Sequence, residues 1–272
     1  MMSNTIVLIG AGNMGFAMLT GWLRKDPALI VHVVEPFEPF QTRARQVGAR
    51  PVATLAELPS GLTADLVVLA VKPQMVALVL ADCTSLAERG ATFVSVAAGI
   101  TINAMARPLP QDTPIIRCMP NTPAAIGEGM MVLCAGHAVA DRARTLTETL
   151  FAASGPVAWL QDESLMDAVT AISGSGPAYV FHFIEALTEA GVSLGLTPDM
   201  AGLLARQTVA GSGRMVQTAE ASPTVLRQQV TSPNGTTAAA LAVLMADQAL
   251  MRLVRRAAKA ARDRGIELGQ EG

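Results

Sequence analysis

The sequence predicts an α/β domain built on a parallel sheet over residues 1–161, followed by an all-α domain over residues 162–272. Three observations lead there. Short β-branched apolar runs alternate with helix-length stretches through the first part of the chain, the pattern of βαβ units. A glycine-rich turn separates the first such run from the first helix. Beyond Gln161 the strand pattern stops and apolar residues recur at helical spacing.

The elements follow in order. Thr5–Ile9 is a buried strand, and a helix runs from about Met14 to Arg24. Val31–Val34 is a second strand, and a helix through Pro39–Val47 stops at Gly48, the residue type favoured just past a helix end. Val52 starts a short strand, and Ala56–Leu58 forms a helical turn. Leu66–Val71 is continuous and apolar, as a strand covered on both faces must be. Thr92–Val96, Pro114–Met119, Met130–Ala135 and Pro156–Leu160 complete the sheet. In the second domain Phe183, Ala186, Leu187 and Ala190 share one helix face, and Leu250, Leu253, Val254 and Ala257 another; Gly191, Gly195 and Pro198 punctuate a helix end and the next start. No low-complexity tether separates the halves.

Composition narrows the function classes. Hydrophobic residues make up 51% and charged residues 15%, with mean hydropathy +0.40, which implies extensive burial and leaves room for a subunit interface. The longest apolar runs, Leu66–Val71 and Ala238–Ala246, fall short of the ~20 residues of a membrane span. A net charge of −2 favours neither nucleic acid nor an anionic membrane as partner. No basic segment precedes an apolar core at the N-terminus, so the expected location is cytoplasmic. Cys83, Cys118 and Cys134 lack CxxC spacing and read as buried free thiols. His32, His137 and His182 show no metal spacing, and no metal is expected.

Gly10-Ala11-Gly12-Asn13-Met14-Gly15 follows a strand and opens a helix, the context that turns a GxGxxG string into a dinucleotide-binding fingerprint of the Rossmann type. Gly10 makes the tight turn, Gly12 lets pyrophosphate approach the backbone, and Gly15 lets helix and strand pack closely; the helix N-terminus offers N–H groups to phosphate. Ile9 through Met14 are therefore expected cofactor contacts. About 20 residues on, Glu35 ends the second strand. Its carboxylate suits ribose hydroxyls and repels a 2′-phosphate, and no Ser, Arg or Lys follows directly; Arg43 and Arg45 lie a turn further along. Of NADH and NADPH, NADH is favoured. Ala70-Val71-Lys72-Pro73 and Ala97-Ala98-Gly99 end their strands where α/β sheets place ligands, and both are expected at the cofactor, with Lys72 readable equally as a solvated lysine.

Three further segments are more specific: Arg117-Cys118-Met119-Pro120-Asn121-Thr122-Pro123 with Gly127-Glu128-Gly129; Ser173-Gly174-Ser175-Gly176-Pro177-Ala178-Tyr179; and Val230-Thr231-Ser232-Pro233-Asn234-Gly235-Thr236-Thr237. Their order and spacing, together with the glycine loop, resemble the pyrroline-5-carboxylate reductase family over essentially the whole chain. The resemblance implies a Rossmann domain and a helical dimerisation domain, a homodimer assembling further, commonly to a decamer, and reduction of 1-pyrroline-5-carboxylate to L-proline by hydride from NAD(P)H. It also implies that Pro120 and Asn121 lie at the cofactor, and that Val230, Ser232, Gly235, Thr236 and Thr237 bind substrate, with the Thr237 hydroxyl at the ring nitrogen as the catalytic group.

Residue chemistry agrees. Ser232–Thr237 runs into Ala238–Leu244, a strong helix former, so the segment is a helix N-terminus rich in hydroxyls and ready for a carboxylate. Ser173–Pro177 interrupts a helical pattern at roughly 1 kcal/mol per Gly and ~3 for an interior Pro; either close backbone approach to a ligand or a packing kink explains it. The chain departs from the family at Asn234, where glycine is common, and at Glu35, where NADPH-using members carry small or basic residues. Asn tolerates positive φ, so the turn is expected to survive. The β-hydroxyacid dehydrogenases share the two-domain plan but need a lysine on the first interdomain helix, and Tyr179–Leu196 holds none. A reductase for another cyclic imino acid and a non-catalytic dinucleotide-sensing module are the alternative readings.

Overall fold

The structure, a computed structural model, describes residues 4–271. Eight strands form one sheet: β1 (Thr5–Ile9), β2 (Ile30–Val34), β3 (Arg50–Val52), β4 (Leu66–Leu69), β5 (Thr92–Ser95), β6 (Ile115–Met119), β7 (Met131–Ala135) and β8 (Val157–Leu160). They lie in the order β3-β2-β1-β4-β5-β6-β7-β8. β1 through β6 are parallel neighbours, and their chain order reverses between β1 and β4, where an α/β sheet opens a ligand crevice. β7 runs antiparallel to β6, and β8 follows β7 in parallel. The all-parallel expectation is thus corrected for the last two strands. Only residues 120–130 join β6 to β7, and their 3-10 turn (Thr122–Ile126) is too short to carry the chain back across the sheet.

The strand residues split by parity between two cores. Ile6, Leu8, Val31, Val33, Leu66 and Val68 face α1 (Asn13–Lys25), whose Met18, Leu19 and Trp22 are buried with them. Val7, Ile9, Val67, Leu69 and Phe93 face α3 (Val76–Ala81), α4 (Thr84–Glu88) and α5 (Ile102–Ala106). This is why the strands read as unbroken apolar runs: both faces are covered. α2 (Glu38–Gln46) follows β2, and α6 (Asp141–Phe151) joins β7 to β8, its Phe151 tilted against Trp22 at 6.0 Å.

Beyond the sheet come α7 (Met166–Val169), a π turn at Thr170–Gly174, α8 (Gly176–Ser193), α9 (Pro198–Thr218), α10 (Pro223–Gln229), α11 (Thr236–Met245) and α12 (Ala249–Glu271). The chain forms two compact units, residues 1–175 with 261–272 and residues 176–260. Residues 163–175 therefore pack with the sheet although they follow its last strand.

In the first unit Arg117 on β6 is buried and ion-paired with Glu163 at 3.1 Å and Asp167 at 3.6 Å. Glu163 also accepts the Ile102 N–H at 2.9 Å, so one carboxylate ties β6, the start of α5 and the segment after β8 together. The far end of α12 lies on the same unit, Gly269 against the Gly99 carbonyl. In the second unit α8 and α9 pack as a hairpin, with Gly191 against Ala201. Among its described residues only Ala201 and Ala205 are buried apolar side chains, while Phe181, Phe183, Leu203, Val243 and Leu253 are each about half exposed or more.

Thr236–Gly269 is long and apolar enough by composition to cross a membrane, more than the short apolar runs of the sequence suggest. Asp247 and Gln248, at φ +47° and +57°, break it. α11 is then 10 residues, ~15 Å long, half a bilayer core. α12 carries Arg252, Arg255, Arg256, Lys259 and Arg262.

Candidate active site

At the end of β1 the three glycines of the loop meet three different surroundings. Gly10 has φ +92°, and a Cβ there would lie 2.7 Å from the carbonyl oxygen of Ala70, just past the end of β4. A Cβ on Gly15 would lie 2.2 Å from the Gly10 carbonyl oxygen, so α1 approaches the strand end only because that atom is absent. Gly12 has no atom within 4 Å of a Cβ and φ −61°. Protein packing requires nothing of Gly12; its bare side faces open space. Gly12 caps α1 without a side-chain hydrogen bond, and no acidic residue sits in the first turn. The amides of Gly12, Asn13 and Met14 have no protein acceptor among the described residues, which makes this helix start a site for an anion.

A cleft of about 1030 Å³ opens beside the loop, the size of a cofactor site. Ile9, Gly10, Gly12, Glu35, Ala70, Val71 and Lys72 all line it. Glu35 is buried; its Oε2 accepts the Ala11 N–H at 2.8 Å and its Oε1 the Phe37 N–H at 3.0 Å. Each carboxylate oxygen keeps a second lone pair for a hydroxyl in the cleft. Lys72 is exposed on the cleft wall, its carbonyl accepting the Met75 N–H at 2.9 Å and its ammonium without a protein partner among the described residues, and Pro73 begins a 3-10 turn beside it.

Other expected cofactor residues lie off the cleft wall. Ala11 is fully buried and spends both backbone groups on side chains, its N–H on Glu35 and its C=O on Arg43. Ala97 is buried and Ala98 half-buried; Gly99, at φ +78°, faces the end of α12. Pro120 is buried. Asn121 donates from Nδ2 to the Ser173 carbonyl at 3.0 Å and accepts the Met130 N–H at 2.8 Å, bracing the π turn against the start of β7. π turns recur at functional sites; here Gly174 also leaves room for Met119, whose Cε lies 2.4 Å from where a Cβ would be. Gly127 and Gly129 serve packing: Gly127 takes φ +79°, and a Cβ on Gly129 would meet Ala124 at 2.7 Å.

Arg43 is what sequence reading missed. α2 carries it back to the glycine turn, where its guanidinium lies over the rings of Phe16 at 4.4 Å and Phe40 at 4.2 Å and donates to the Ala11 carbonyl. The i, i+3 spacing of Phe40 and Arg43 was the one readable sign.

In the second unit, Val230, which is largely exposed, caps the end of α10, and the chain turns into α11. Asn234 takes φ +59°, the left-handed turn expected of it, and Gly235 caps α11 while donating its N–H to the Ser232 carbonyl at 3.1 Å. A Cβ on Gly235 would come within 3.2 Å of that oxygen. The hydroxyls of Ser232, Thr236 and Thr237 and the first amides of α11 have no protein partner among the described residues. Donors without acceptors at a helix start again suit an anion, here with neutral hydroxyls around it.

The cysteines are free and buried. Burial, with Asp82 second, pushes the Cys83 thiol up to about 12, and burial raises Cys118 and Cys134 as well. None is poised as a nucleophile.

Comparison with known proteins accords with this geometry. Residues 163–268 match the family model for pyrroline-5-carboxylate reductase dimerisation, and residues 5–99 match that for coenzyme F420-dependent NADP oxidoreductases. The chain is 39% identical over 269 residues to the pyrroline-5-carboxylate reductase of Pseudomonas aeruginosa, covering 98% of this chain and 97% of that one. A pyrroline-5-carboxylate reductase structure from Coxiella burnetii superposes with TM-score 0.91 at 35% identity, covering 98% of this chain and 99% of the other. A Plasmodium falciparum pyrroline carboxylate reductase with NADP bound gives TM-score 0.80 at 28% identity, with 97% and 99% covered. Matched from end to end by such relatives, the chain belongs to the pyrroline-5-carboxylate reductase family.

Proposed function

We propose that this protein reduces 1-pyrroline-5-carboxylate to L-proline with hydride from NADH or NADPH, the last step of proline biosynthesis. The observation that carries the reading is the start of α11, where Ser232, Thr236, Thr237 and the helix amides form an unsatisfied donor cluster fit for a small carboxylate. A non-catalytic dinucleotide sensor has no use for that cluster.

The reduced nicotinamide supplies a hydride from C4 to the imine carbon of the substrate. The protein's own part is placement. The Ser232 hydroxyl and the amides of Thr236 and Thr237 hold the carboxylate. Gly235 shapes the turn by donating its N–H to the Ser232 carbonyl and reaches the carboxylate only by sharing that bond. Val230 lies beside the apolar ring, and the Thr237 hydroxyl hydrogen-bonds the ring nitrogen. Substrate enters with that nitrogen already protonated, so hydride addition neutralises the charge and leaves an amine without a general acid. Catalysis then rests on orienting two flat reactants and excluding water. Loss of NADH or NADPH absorbance on adding pyrroline-5-carboxylate tests the assignment, with piperideine-2-carboxylate as comparison; turnover of only the latter refutes it in favour of another cyclic-imine reductase. Thr237→Ala is expected to lower kcat tenfold or more, and an unchanged kcat removes that hydroxyl from the mechanism.

NADH is the proposed preference, since Glu35 lines the cleft with lone pairs free for ribose hydroxyls and would face a 2′-phosphate with like charge. Kinetics with both cofactors on wild type and Glu35→Ser test it, and a large NADPH preference in wild type overturns it. The uncovered helices of residues 176–260 support a homodimer, proposed to assemble further to a decamer in the cytoplasm, as light scattering of the purified protein can check.

A further inference from the structure

The residue between Gly10 and Gly12 is gripped from both sides by side chains of opposite charge. Glu35 Oε2 takes the Ala11 N–H at 2.8 Å, and the Arg43 guanidinium takes the Ala11 carbonyl. These groups belong to successive peptide units, so two contacts set the tilt of both planes of the loop. In a trans peptide the C=O and the next N–H point to opposite edges of one plane. Holding the Ala11 carbonyl from one edge of the plane therefore sends the Gly12 N–H to the opposite edge, and Gly12 lines the cleft with no protein acceptor for that N–H among the described residues.

Arg43 is itself held in place for this. Its guanidinium lies over Phe16, in the first turn of α1, and over Phe40, one turn earlier on α2. It has no carboxylate partner among the described residues, and its Nε is buried without a hydrogen bond. The cation's directed contact is thus with the loop carbonyl, in a half-buried setting of aromatic rings. A cation on a peptide oxygen draws charge across the plane and makes the far N–H a stronger donor.

We propose that Arg43 is a positioning residue for the phosphate loop: it fixes and polarises the Ala11–Gly12 peptide so that the Gly12 N–H is presented to the pyrophosphate shared by NADH and NADPH. This rests on the reading of the cleft as a dinucleotide site, and it gives Arg43 a role that is blind to the 2′-phosphate.

The test uses the full chain. Arg43→Met keeps the apolar stem between the rings and removes the cation; Arg43→Lys restores a cation within reach of the carbonyl. Affinities for NADH and NADPH are read from fluorescence titration, ADP-ribose by displacement of NADH, and adenosine by ligand-observed NMR. Arg43→Met is expected to weaken NADH, NADPH and ADP-ribose by one common factor of about tenfold, leave adenosine binding unchanged, and leave kcat at saturating cofactor unchanged. Arg43→Lys is expected to recover all three to within about threefold. Loss confined to NADPH would overturn the proposal by making Arg43 a 2′-phosphate ligand. Equal loss for adenosine, or a lysine variant as weak as the methionine one, would reduce Arg43 to a packing role, and no loss at all would remove it from the site. Failure of the wild type to bind either dinucleotide would instead sink the reading of the cleft.

Discussion

Replacing Gly12 by alanine separates what the fold needs from what the ligand needs. At φ −61° and ψ −168° the backbone of Gly12 is open to any residue, and a Cβ there meets no atom within 4 Å. Gly12→Ala is therefore expected to fold at wild-type stability or gain about 0.4–1 kcal/mol through the stiffer unfolded chain. In the cleft the added methyl stands where a phosphate must approach the helix amides. Forcing the anion off one such donor forfeits about 1.5–3 kcal/mol, or roughly 10- to 100-fold in affinity. Gly15→Ala is the opposite case, since its Cβ would lie 2.2 Å from the Gly10 carbonyl oxygen, and backbone cannot swing aside as a side chain can. Moving α1 off the strand end to relieve that contact costs about 1–3 kcal/mol of stability, typical of overpacking. Urea unfolding at one fixed protein concentration and fluorescence titration with NADH report the two quantities separately. If Gly12→Ala lost stability while keeping its affinity, the open side of Gly12 would have nothing to do with pyrophosphate, and the assignment of the three glycines would fail.

Glu163→Ala leaves the buried Arg117 with only the more distant Asp167 and orphans the Ile102 N–H. With Glu163 partly exposed, about 2 kcal/mol of stability is expected to go, partly restored when Arg117→Met is added; a loss under about 0.5 kcal/mol by urea unfolding would refute the role of that carboxylate. His32, on β2, is held below its ordinary pKa by burial and then by Arg50 across the strand pair, so it stays neutral in the fold. Below about pH 6.5 the unfolded chain takes up a proton the native one refuses; stability should therefore fall as pH drops through that range, and melting curves of His32→Gln should show a shallower fall. The raised thiols predict no reaction of native protein with a thiol reagent at pH 8 and three equivalents after guanidinium. Because unfolded thiols ionise near pH 8.5 and Cys83 only near 12, stability should also decline as pH rises between those values, a slope that Cys83→Ala lessens.

The central strands β1 and β4 were legible because each is a run of apolar residues with both faces covered, so every residue in the run carries signal, whereas the edge strand β3, Arg50-Pro51-Val52, is exposed to half-buried and was marked only by Val52. Direction carries none: nothing in Met131–Ala135 says that it reverses against β6, and only the brevity of residues 120–130 excludes a crossover. α3, α4 and α5 are five or six residues each, too short for a periodic window to register. At the site, glycines and helix caps were readable because backbone geometry constrains residue type locally, as Asn234 at φ +59° illustrates. Arg43 was not, since its target is 32 positions away and only the path of α2 brings it back.

The helical unit shows a different limit. Periodicity correctly marks Phe183 and Leu253 as members of apolar faces, yet in a single chain both stay half exposed. A repeat of 3.6 says that a face must be covered and is silent about what covers it. With Ala201 and Ala205 as the buried apolar side chains among its described residues, the unit has almost no core of its own. Burial repays the conformational entropy of ordering α8 to α11 and the start of α12 only if the missing surface comes from elsewhere. The match of residues 163–268 to a dimerisation family identifies that source as a second subunit. Folding of this unit and association are then expected to behave as one equilibrium, so its melting temperature should rise with protein concentration, and a melting temperature independent of concentration would refute the coupling.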